Sequence, residues 1–377
     1  MKRTVKHNCN KDTEPLVSVV IPVYNAEKYI KQMLGTVLDQ TLEKIEVICV
    51  NDGSTDHSGE IIKELQKRDG RIIYKEQKNM TAGVARNVGL GLANGKYVVF
   101  WDADDKFDKH ALECMYNKAE LKKADICVCG VNEFTNEGKN YEADGYLRMD
   151  LIPKKDPFDK YNISERFFDF ASNVLWNKMY RREFLLENKL HFQNIRQSND
   201  TAFVMLSLYH AKAITCVEKK LVFYRVNNHN SLTGKSSETV FCPYEAYLYT
   251  LHEMKKHADF PMVEKSFKNK CAKGMFRALN IQTSFDAYVE LYEFLQTEGL
   301  EHLGLSDCKK EDMEEEWIYH DLERMKTMSA GDFLIFKSNE RRWDRDQLKY
   351  TLRRVRRRLA PLLFLNEKLK QIKRLKK

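Results

Sequence analysis

Residues 97–105 read YVVFWDADD, an apolar run that ends in three acids. Tyr97–Trp101 has the length and the aliphatic and aromatic composition of a buried strand. Similar runs at Val17–Pro22 and Ile45–Val50 lead into the polar stretches VYN and NDGS. Ligands of open α/β sheets bind beyond the carboxyl ends of the strands. The three runs therefore predict a sheet whose carboxyl edge collects acids and amides.

Segments with helical periodicity separate these strands. Alternating strands and helices are typical of an α/β fold with a mostly parallel sheet that helices cover on both faces. Apolar spacing predicts further helices, without strands between them, after about residue 236. Residues 132–162 are irregular and charged, and we interpret them as a surface excursion. The predicted helices of the first half are Glu27–Gln40, Ser58–Asp69, Val84–Ala93 and Lys109–Lys122.

The domain organisation follows from these patterns and from the length of 377 residues, which suggests two or three domains. We predict an N-terminal tail (1–15), an α/β domain (16–235), a helical C-terminal region (236–340) and a basic amphipathic tail (341–377). A hydrophobic content of 43% with 20 Phe and 18 Tyr excludes a mainly disordered chain. No apolar run reaches the roughly 18 residues that a membrane-spanning helix needs.

The spacing of the nine cysteines and the polar N-terminal residues indicate the cellular compartment of the protein. The cysteines show no paired spacing that would suggest a zinc site or a disulfide framework. The first residues show no secretory signal. We therefore expect a cytoplasmic protein.

The positive charge is concentrated in the last 37 residues. Residues 341–377 hold 15 Lys and Arg against 3 Asp and Glu, a net charge of +12, whereas the whole chain carries +8. Their leucines recur at helical spacing on either side of Pro361, so two basic amphipathic helices are predicted. Such helices can lie on the inner face of an anionic cell membrane. The alternative is a solvated helix that packs on the bundle or on another chain.

The three acids after Trp101 have two interpretations from the residues alone. Asp102, Asp104 and Asp105 repel one another, and a hard divalent cation such as Mg²⁺ or Mn²⁺ would compensate them. The alternative is a helix N-terminus, where acids are favoured, because a helix is predicted from Lys109.

Four stretches of sequence stand in a characteristic order, namely VSVVIPVYN (17–25), VNDGSTD (50–56), GVARNVGL (83–90) and WDADD (101–105). Together they resemble family 2 glycosyltransferases of the GT-A fold. The resemblance covers about residues 16–235. It implies a nucleotide-sugar donor, usually a UDP-sugar, and an acceptor that is a cell-surface polysaccharide or a lipid-linked glycan.

The same resemblance implies roles for individual residues. The nucleoside pocket would include Pro22, Tyr24 and Asn25, and Asp52 would accept a hydrogen bond from uracil. Asn79 and Arg86 would lie near the base, ribose and diphosphate. In the Asp-X-Asp element, Asp102 would face the ribose and Asp104 would bind Mn²⁺ or Mg²⁺.

The resemblance further implies an inverting transfer, in which one carboxylate removes the proton of the acceptor hydroxyl. Asp200 is the candidate base, at the start of a predicted helix and about a hundred residues beyond the Asp-X-Asp element. The family usually has a Glu-Asp pair here, whereas this chain has Asn199 before Asp200. The alternative is that Asn199 or Asp200 only caps the helix.

Three classes of function are compatible with the sequence. The first is an inverting, metal-dependent glycosyltransferase. The second is a sugar nucleotidyltransferase, which should have a glycine-rich phosphate loop near the first strand, but residues 22–27 contain no glycine. The third is a non-enzymatic protein that binds nucleic acid or a membrane through its basic tail. The rest of the chain has a negative net charge, which argues against an extended surface that binds nucleic-acid phosphates. No nucleic-acid partner is therefore expected.

Overall fold

The computed structural model describes residues 14–226, 237 and 239–341. The chain divides into two compact units, Met1–Tyr319 and His320–Lys377. Apart from residues 14, 15 and 341, the two predicted tails lie outside the described residues. The predicted boundary at 235/236 lies outside them too and stays a prediction.

The described residues form a nine-stranded sheet in the order β3-β2-β1-β4-β8-β6-β9-β5, with β7 paired to β6. The strands are β1 (Val17–Val23), β2 (Ile45–Asp52), β3 (Ile72–Gln77), β4 (Tyr97–Phe100), β5 (Lys106–Phe107), β6 (Ile126–Phe134), β7 (Asn140–Ala143), β8 (Lys178–Arg181) and β9 (Ile214–Arg225).

Strands β1 to β4 are parallel, as the alternation predicts. β1 lies between β2 and β4, with Val23 opposite Asn51 and Val20 opposite Phe100. All eight residues of β2 are buried, which is why its sequence is a nearly continuous apolar run. This register brings the residues that follow β1, β2 and β4 to the same edge of the sheet.

The second half of the sheet is mixed. β8 pairs antiparallel with both β4 and β6, and β9 runs parallel to β6. Three short strands, β5, β7 and β8, fall where the sequence predicts none. The sequence pattern predicts two strands here, Ile214–Val217 and Leu221–Val226. β9 is instead one strand of 12 residues, because its pairing with β6 continues through a register shift near Gly130.

Helices cover the sheet and continue beyond it. Among the described residues, no helix has both the length and the apolar composition needed to cross a membrane. The helices are α1 (Ile30–Leu38), α2 (Ser58–Gln66), α3 (Ala82–Leu92), α4 (Ala111–Lys122), α5 (Arg182–Glu187), α6 (Asn199–His210), α7 (Cys242–Lys255), α8 (Glu264–Asn280), α9 (Phe285–Phe294), α10 (Leu300–His302) and α11 (Glu316–Met325).

An aromatic cluster fixes α6 against the sheet. Phe100 at the end of β4 makes edge contacts with Tyr180 of β8 and Phe203 of α6, at centroid distances of 6.0 and 5.4 Å. Phe192 stacks on Phe203 at 3.9 Å. Aromatic pairs of this kind add about 0.5–1.5 kcal/mol each beyond the area they bury. The start of α6 is therefore held above the carboxyl end of β4.

A polar cluster joins the far end of α6 to the helical region. Tyr209 donates a hydrogen bond to Asp259 Oδ1 at 2.5 Å, and Lys160 Nζ lies 2.7 Å from Asp259 Oδ2. Hydrogen bonds and the ammonium group stabilise the Asp259 carboxylate, so its pKa is lowered despite partial burial. The second unit has a comparable pair, in which buried Asp321 lies 2.7 Å from Lys337 Nζ.

Candidate functional site

The loops that follow β1 and β2 are hydrogen-bonded to each other. Asn25 N–H donates to Ser54 Oγ at 3.0 Å, and Thr55 N–H donates to Asn25 Oδ1 at 2.8 Å. Asn25 has a φ of 49°, a left-handed conformation that asparagine tolerates better than most residues. Ala26 N–H donates to the buried Ser58 Oγ at 2.8 Å. The two loops therefore form one wall of the sheet edge.

Asp52, the last residue of β2, is only 3% exposed. Its Oδ1 accepts hydrogen bonds from Gln77 Nε2 at 2.7 Å and from Met80 N–H at 3.0 Å. Asn79 Nδ2 donates to the carbonyl oxygen of Asp52 at 2.9 Å. Gly53 has a φ of +70°, and a Cβ there would lie 2.7 Å from the Asn79 nitrogen. The segment 77–80 is thus folded directly over Asp52.

The residues predicted for the nucleoside pocket lie on these adjoining loops. Pro22 is part of β1, and Tyr24 follows that strand with 53% of its surface exposed. Met80, beside Asp52, is 51% exposed. A flat base could pack on such uncovered apolar side chains while its polar edge reaches buried acceptors.

The three acids after β4 have different environments. Asp102 and Asp104 are half-buried, whereas Asp105 is 1% exposed. Asp105 Oδ1 accepts a hydrogen bond from the backbone N–H of Arg225 at 2.8 Å. Burial and the neighbouring carboxylates of Asp104 and Asp102 raise the pKa of Asp105 well above its usual range. Of the three acids, Asp102 and Asp104 are therefore more accessible to a ligand than Asp105.

Arg225, the last residue of β9, supports this acidic loop. Its Nε donates to the carbonyl oxygen of Asp104 at 2.7 Å. The guanidinium carbon lies 4.5 Å from the ring centroid of Tyr29 and 4.4 Å from that of Phe134. Cation–π contacts of a partly desolvated arginine contribute about 1–2 kcal/mol. The sequence pattern did not identify this role, because the two partners are 121 residues apart.

Arg86 connects the acidic loop to α6. Its Nη2 donates to Asp102 Oδ1 at 2.7 Å, and its Nη1 donates to Asn199 Oδ1 at 2.8 Å. The Arg86 side chain is only 9% exposed, against 33% for Asp102. The structure thus brings three of the predicted site elements together, namely the Arg86 helix, the Asp-X-Asp element and the Asn199-Asp200 pair.

Asp200 lies in the first turn of α6. The N-cap of that helix is Ser198, whose side chain makes no capping hydrogen bond, and the Asn199 side chain accepts from Arg86. The structure thus places Ser198, and neither Asn199 nor Asp200, at the N-cap position of α6. Burial raises the pKa of Asp200, Arg86 opposes this increase, and Asp102 adds to it. A carboxylate with a raised pKa is suited to accept a proton.

Lys178 is a further charged residue close to Asp200. Its Nζ is buried and donates to the carbonyl oxygens of Ser172 and Val174, both at 2.8 Å, and to Asn177 Oδ1 at 2.9 Å. Burial, with Lys270 nearby, lowers the pKa of Lys178 to about 7. All three ammonium protons have an acceptor, so Lys178 fixes the conformation of residues 172–177.

The acidic edge can be tested for its fit to a divalent cation. Within the ranges that the structure describes, no group of three or more His, Cys, Asp or Glu side chains is arranged to hold a metal ion. The half-buried Asp104 offers carboxylate oxygens, the ligand type that Mg²⁺ and Mn²⁺ prefer. These residues fit a cation that takes most of its remaining ligands from a bound phosphate group and water.

Several known proteins are similar to this chain in sequence. Residues 18–187 match the profile described as "Glycosyl transferase family 2". The chain is 34% identical over 222 residues to the uncharacterized glycosyltransferase EpsJ of Bacillus subtilis, which covers 58% of this chain and 63% of EpsJ. It is 27% identical over 262 residues to the GalNAc(5)-diNAcBac-PP-undecaprenol beta-1,3-glucosyltransferase of Campylobacter jejuni, which covers 68% of this chain and 80% of that enzyme.

The fold is similar to that of a solved structure. S. aureus TarS 1-349, crystallised in complex with UDP-GlcNAc, superposes with a TM-score of 0.64 at 17% identity, which covers 86% of this chain and 91% of TarS 1-349. At that identity the likeness concerns the fold alone. The alignment with EpsJ spans less than two thirds of that relative. Residues 18–187, with their mostly parallel sheet and acidic carboxyl edge, therefore match glycosyl transferase family 2.

Proposed function

We propose that the chain is an inverting, metal-dependent glycosyltransferase that transfers a sugar from a nucleotide sugar, most simply a UDP-sugar, to an acceptor hydroxyl. The observation that carries this proposal is the convergence at one sheet edge of the Asp52 loop, the Asp-X-Asp element and the start of α6. Arg86 links the last two through hydrogen bonds of 2.7 and 2.8 Å.

The donor would lie along this edge from the loops after β1 and β2 to the acidic loop. Tyr24 offers an exposed ring for the base, and Asp52 offers a buried carboxylate for its polar edge. Asp102 would accept from the ribose hydroxyls. TarS, which has the same fold, was crystallised with UDP-GlcNAc, and this supports a uridine nucleotide as the first donor to test.

Asp104 would hold Mn²⁺ or Mg²⁺ against the diphosphate, and the cation supplies neutralisation of the charge that develops on the leaving group. Arg225 orients Asp104 by its hydrogen bond to the Asp104 carbonyl oxygen. Asp105, which Arg225 also holds through its backbone N–H, keeps the loop in place from inside.

The transfer itself needs one base. The acceptor oxygen attacks C1 of the sugar, the bond from C1 to the diphosphate oxygen breaks, and the acceptor proton moves to the carboxylate of Asp200. The raised pKa of Asp200 supports this role, because a base with a pKa closer to neutrality accepts the proton more readily.

The acceptor class is proposed from the relatives. The Campylobacter relative is named as an enzyme of an undecaprenol-linked glycan, which supports a lipid-linked or polysaccharide acceptor for this chain. A cytoplasmic location remains a prediction. Attachment to the membrane surface through residues 341–377 is also a prediction, because residues 342–377 are outside the described part of the chain.

Release of nucleoside diphosphate from a panel of nucleotide sugars, with Mn²⁺, Mg²⁺ or a chelator, tests the proposal. We expect release from at least one UDP-sugar and its loss with the chelator. The Asp200→Asn variant should lose transfer, and the exposed Asp307→Asn serves as the matched control. Absence of release from every sugar nucleotide in the presence of lipid-linked and polysaccharide acceptors would contradict the proposal.

A further inference from the structure

Position 199 carries an uncharged amide beside a buried arginine. Arg86 Nη1 donates to Asn199 Oδ1, and both groups are buried. The other terminal nitrogen of Arg86, Nη2, donates a hydrogen bond to Asp102 Oδ1. Arg86 and Asp102 form an ion pair, and Asn199 satisfies a further hydrogen bond of Arg86 without adding a second negative charge, since an amide oxygen accepts but carries no net charge.

We propose that Arg86, which the amide of Asn199 orients, is a positioning residue whose positive charge stabilises the ionised carboxylate of Asp200. A carboxylate at position 199 would compete with Asp200 for this charge. This inference rests on the proposed role of Asp200 as the base. It assigns a function to the uncharged residue that this chain has before Asp200.

Contacts of the neighbouring residues hold Arg86 beside α6. Asn87, the next residue of α3, exchanges two hydrogen bonds of 2.8 Å with the backbone of Phe192. The Phe192 ring lies 5.7 Å from the Arg86 guanidinium carbon. A Cβ on Gly83 would lie 3.1 Å from the Asn199 Cβ, so α3 and the start of α6 are in direct contact.

The groups that face Asp200 come from four elements. Arg86 of α3 and Lys178 of β8 lower the pKa of Asp200, and Asp102 after β4 raises it, in addition to burial. Burial, and to a lesser extent the charge of Asp200, raises the pKa of the hydroxyl groups of Tyr180 on β8 and Tyr247 on α7. The pKa of Lys178 is about 7, so its effect on Asp200 weakens above that pH.

The test is the Asn199→Asp substitution, which keeps the acceptor oxygen and adds one negative charge. A like charge beside Asp200 disfavours its ionisation, and the new carboxylate would pair with Arg86. We expect the pH at which Asp200 titrates to rise by about one unit, the lower end of the range for close charges. The acid limb of the rate–pH profile should move by the same amount, with about tenfold slower transfer well below it.

Two readouts keep this inference separate from the proposed function. The first is a ¹³C NMR titration of aspartate-labelled protein, with Asp200 assigned through Asp200→Asn, which needs no activity. The second is the rate–pH profile. Arg86→Gln, which removes the cation, should shift the Asp200 titration in the same direction if Asn199→Asp fails to fold. The exposed Asn117→Asp on α4 adds the same charge away from Asp200 and should shift nothing.

An Asp200 that titrates at the same pH in wild type, Asn199→Asp and Arg86→Gln would overturn the inference, whatever the activity. A shifted Asp200 titration without any sugar transfer would support the electrostatic link and contradict the role of Asp200 as base. The two failures are therefore distinguishable.

Discussion

Gly83 is the position where the contact between α3 and the start of α6 can be perturbed most directly. An alanine Cβ at this position would lie 2.5 Å from the carbonyl oxygen of Gln193 and 3.2 Å from the Phe192 Cβ. A separation of 2.5 Å is well inside van der Waals contact, and the obstructing atom belongs to the backbone. Gly83→Ala must therefore displace the segment that leads into α6.

The magnitude follows from a comparison within the same helix. Gly91, also on α3, has no atom within 4 Å of the position that an alanine methyl group would take, so Gly91→Ala should stabilise by about 0.5–1 kcal/mol through helix propensity. Overpacking of a well-packed site typically costs about 1–3 kcal/mol. We expect the free energies of unfolding of the two variants to differ by about 1.5–4 kcal/mol, with Gly83→Ala less stable.

Urea denaturation followed by tryptophan fluorescence measures this difference, because Trp101 and Trp176 are buried in the first unit. The displacement should also lengthen the bond between Arg86 and Asn199 and lower transfer under conditions in which the variant is folded. If Gly83→Ala were as stable and as active as Gly91→Ala, the close contact between α3 and the 192–199 segment would be refuted.

Three further predictions concern single side chains. Because the pKa of Lys178 falls from its usual value near 10.4 to about 7 on folding, the unfolded chain holds one more proton between these values. The contribution of this residue to the free energy of unfolding should therefore rise from about pH 7 to pH 10, by up to about 1.4 kcal/mol per pH unit. In urea denaturation at several pH values, Lys178→Met should show a smaller increase of stability with pH than the wild type. The same increase in both proteins would contradict the lowered pKa of Lys178. Arg225→Met keeps the side-chain volume between the Tyr29 and Phe134 rings but loses the hydrogen bond to the Asp104 carbonyl oxygen. We therefore expect about tenfold weaker binding of UDP in the presence of Mn²⁺, measured by calorimetry. Unchanged UDP affinity would show that Arg225 does not position Asp104. Asp200→Asn should lower transfer by about 10²–10⁴ while UDP affinity is retained, and equal turnover would place the base elsewhere.

The acidic carboxyl edge of the sheet could be predicted from the sequence because short contiguous segments carry the signal. β1, β2 and β4 are short apolar runs that lead into polar residues, and parallel pairing needs no further information to align their carboxyl ends. The Glycosyl transferase family 2 match and the fold confirm this part of the prediction. The individual site roles of Asp52, Asp104 and Asp200 remain predictions.

The roles of Asp105 and Arg225 could not be read from the sequence. Three acids so close together look equivalent in the sequence, whereas in the fold Asp105 is buried and accepts a hydrogen bond from the backbone of Arg225 at the end of β9. β8 was missed for a similar reason, since it has four residues and starts with the buried Lys178, which a pattern based on hydrophobicity assigns to the surface. Contacts between residues far apart in the chain decide all three.

The central claim is that the carboxyl edge of β1, β2 and β4 binds a nucleoside diphosphate through Asp104 and a divalent cation. Calorimetric titration of UDP into wild type and Asp104→Ala, each with Mn²⁺ and with chelator, tests it most directly. We predict that Mn²⁺ strengthens binding to the wild type and that Asp104→Ala in Mn²⁺ binds no better than the wild type with chelator. Equal UDP affinity of both proteins in Mn²⁺ would contradict the claim.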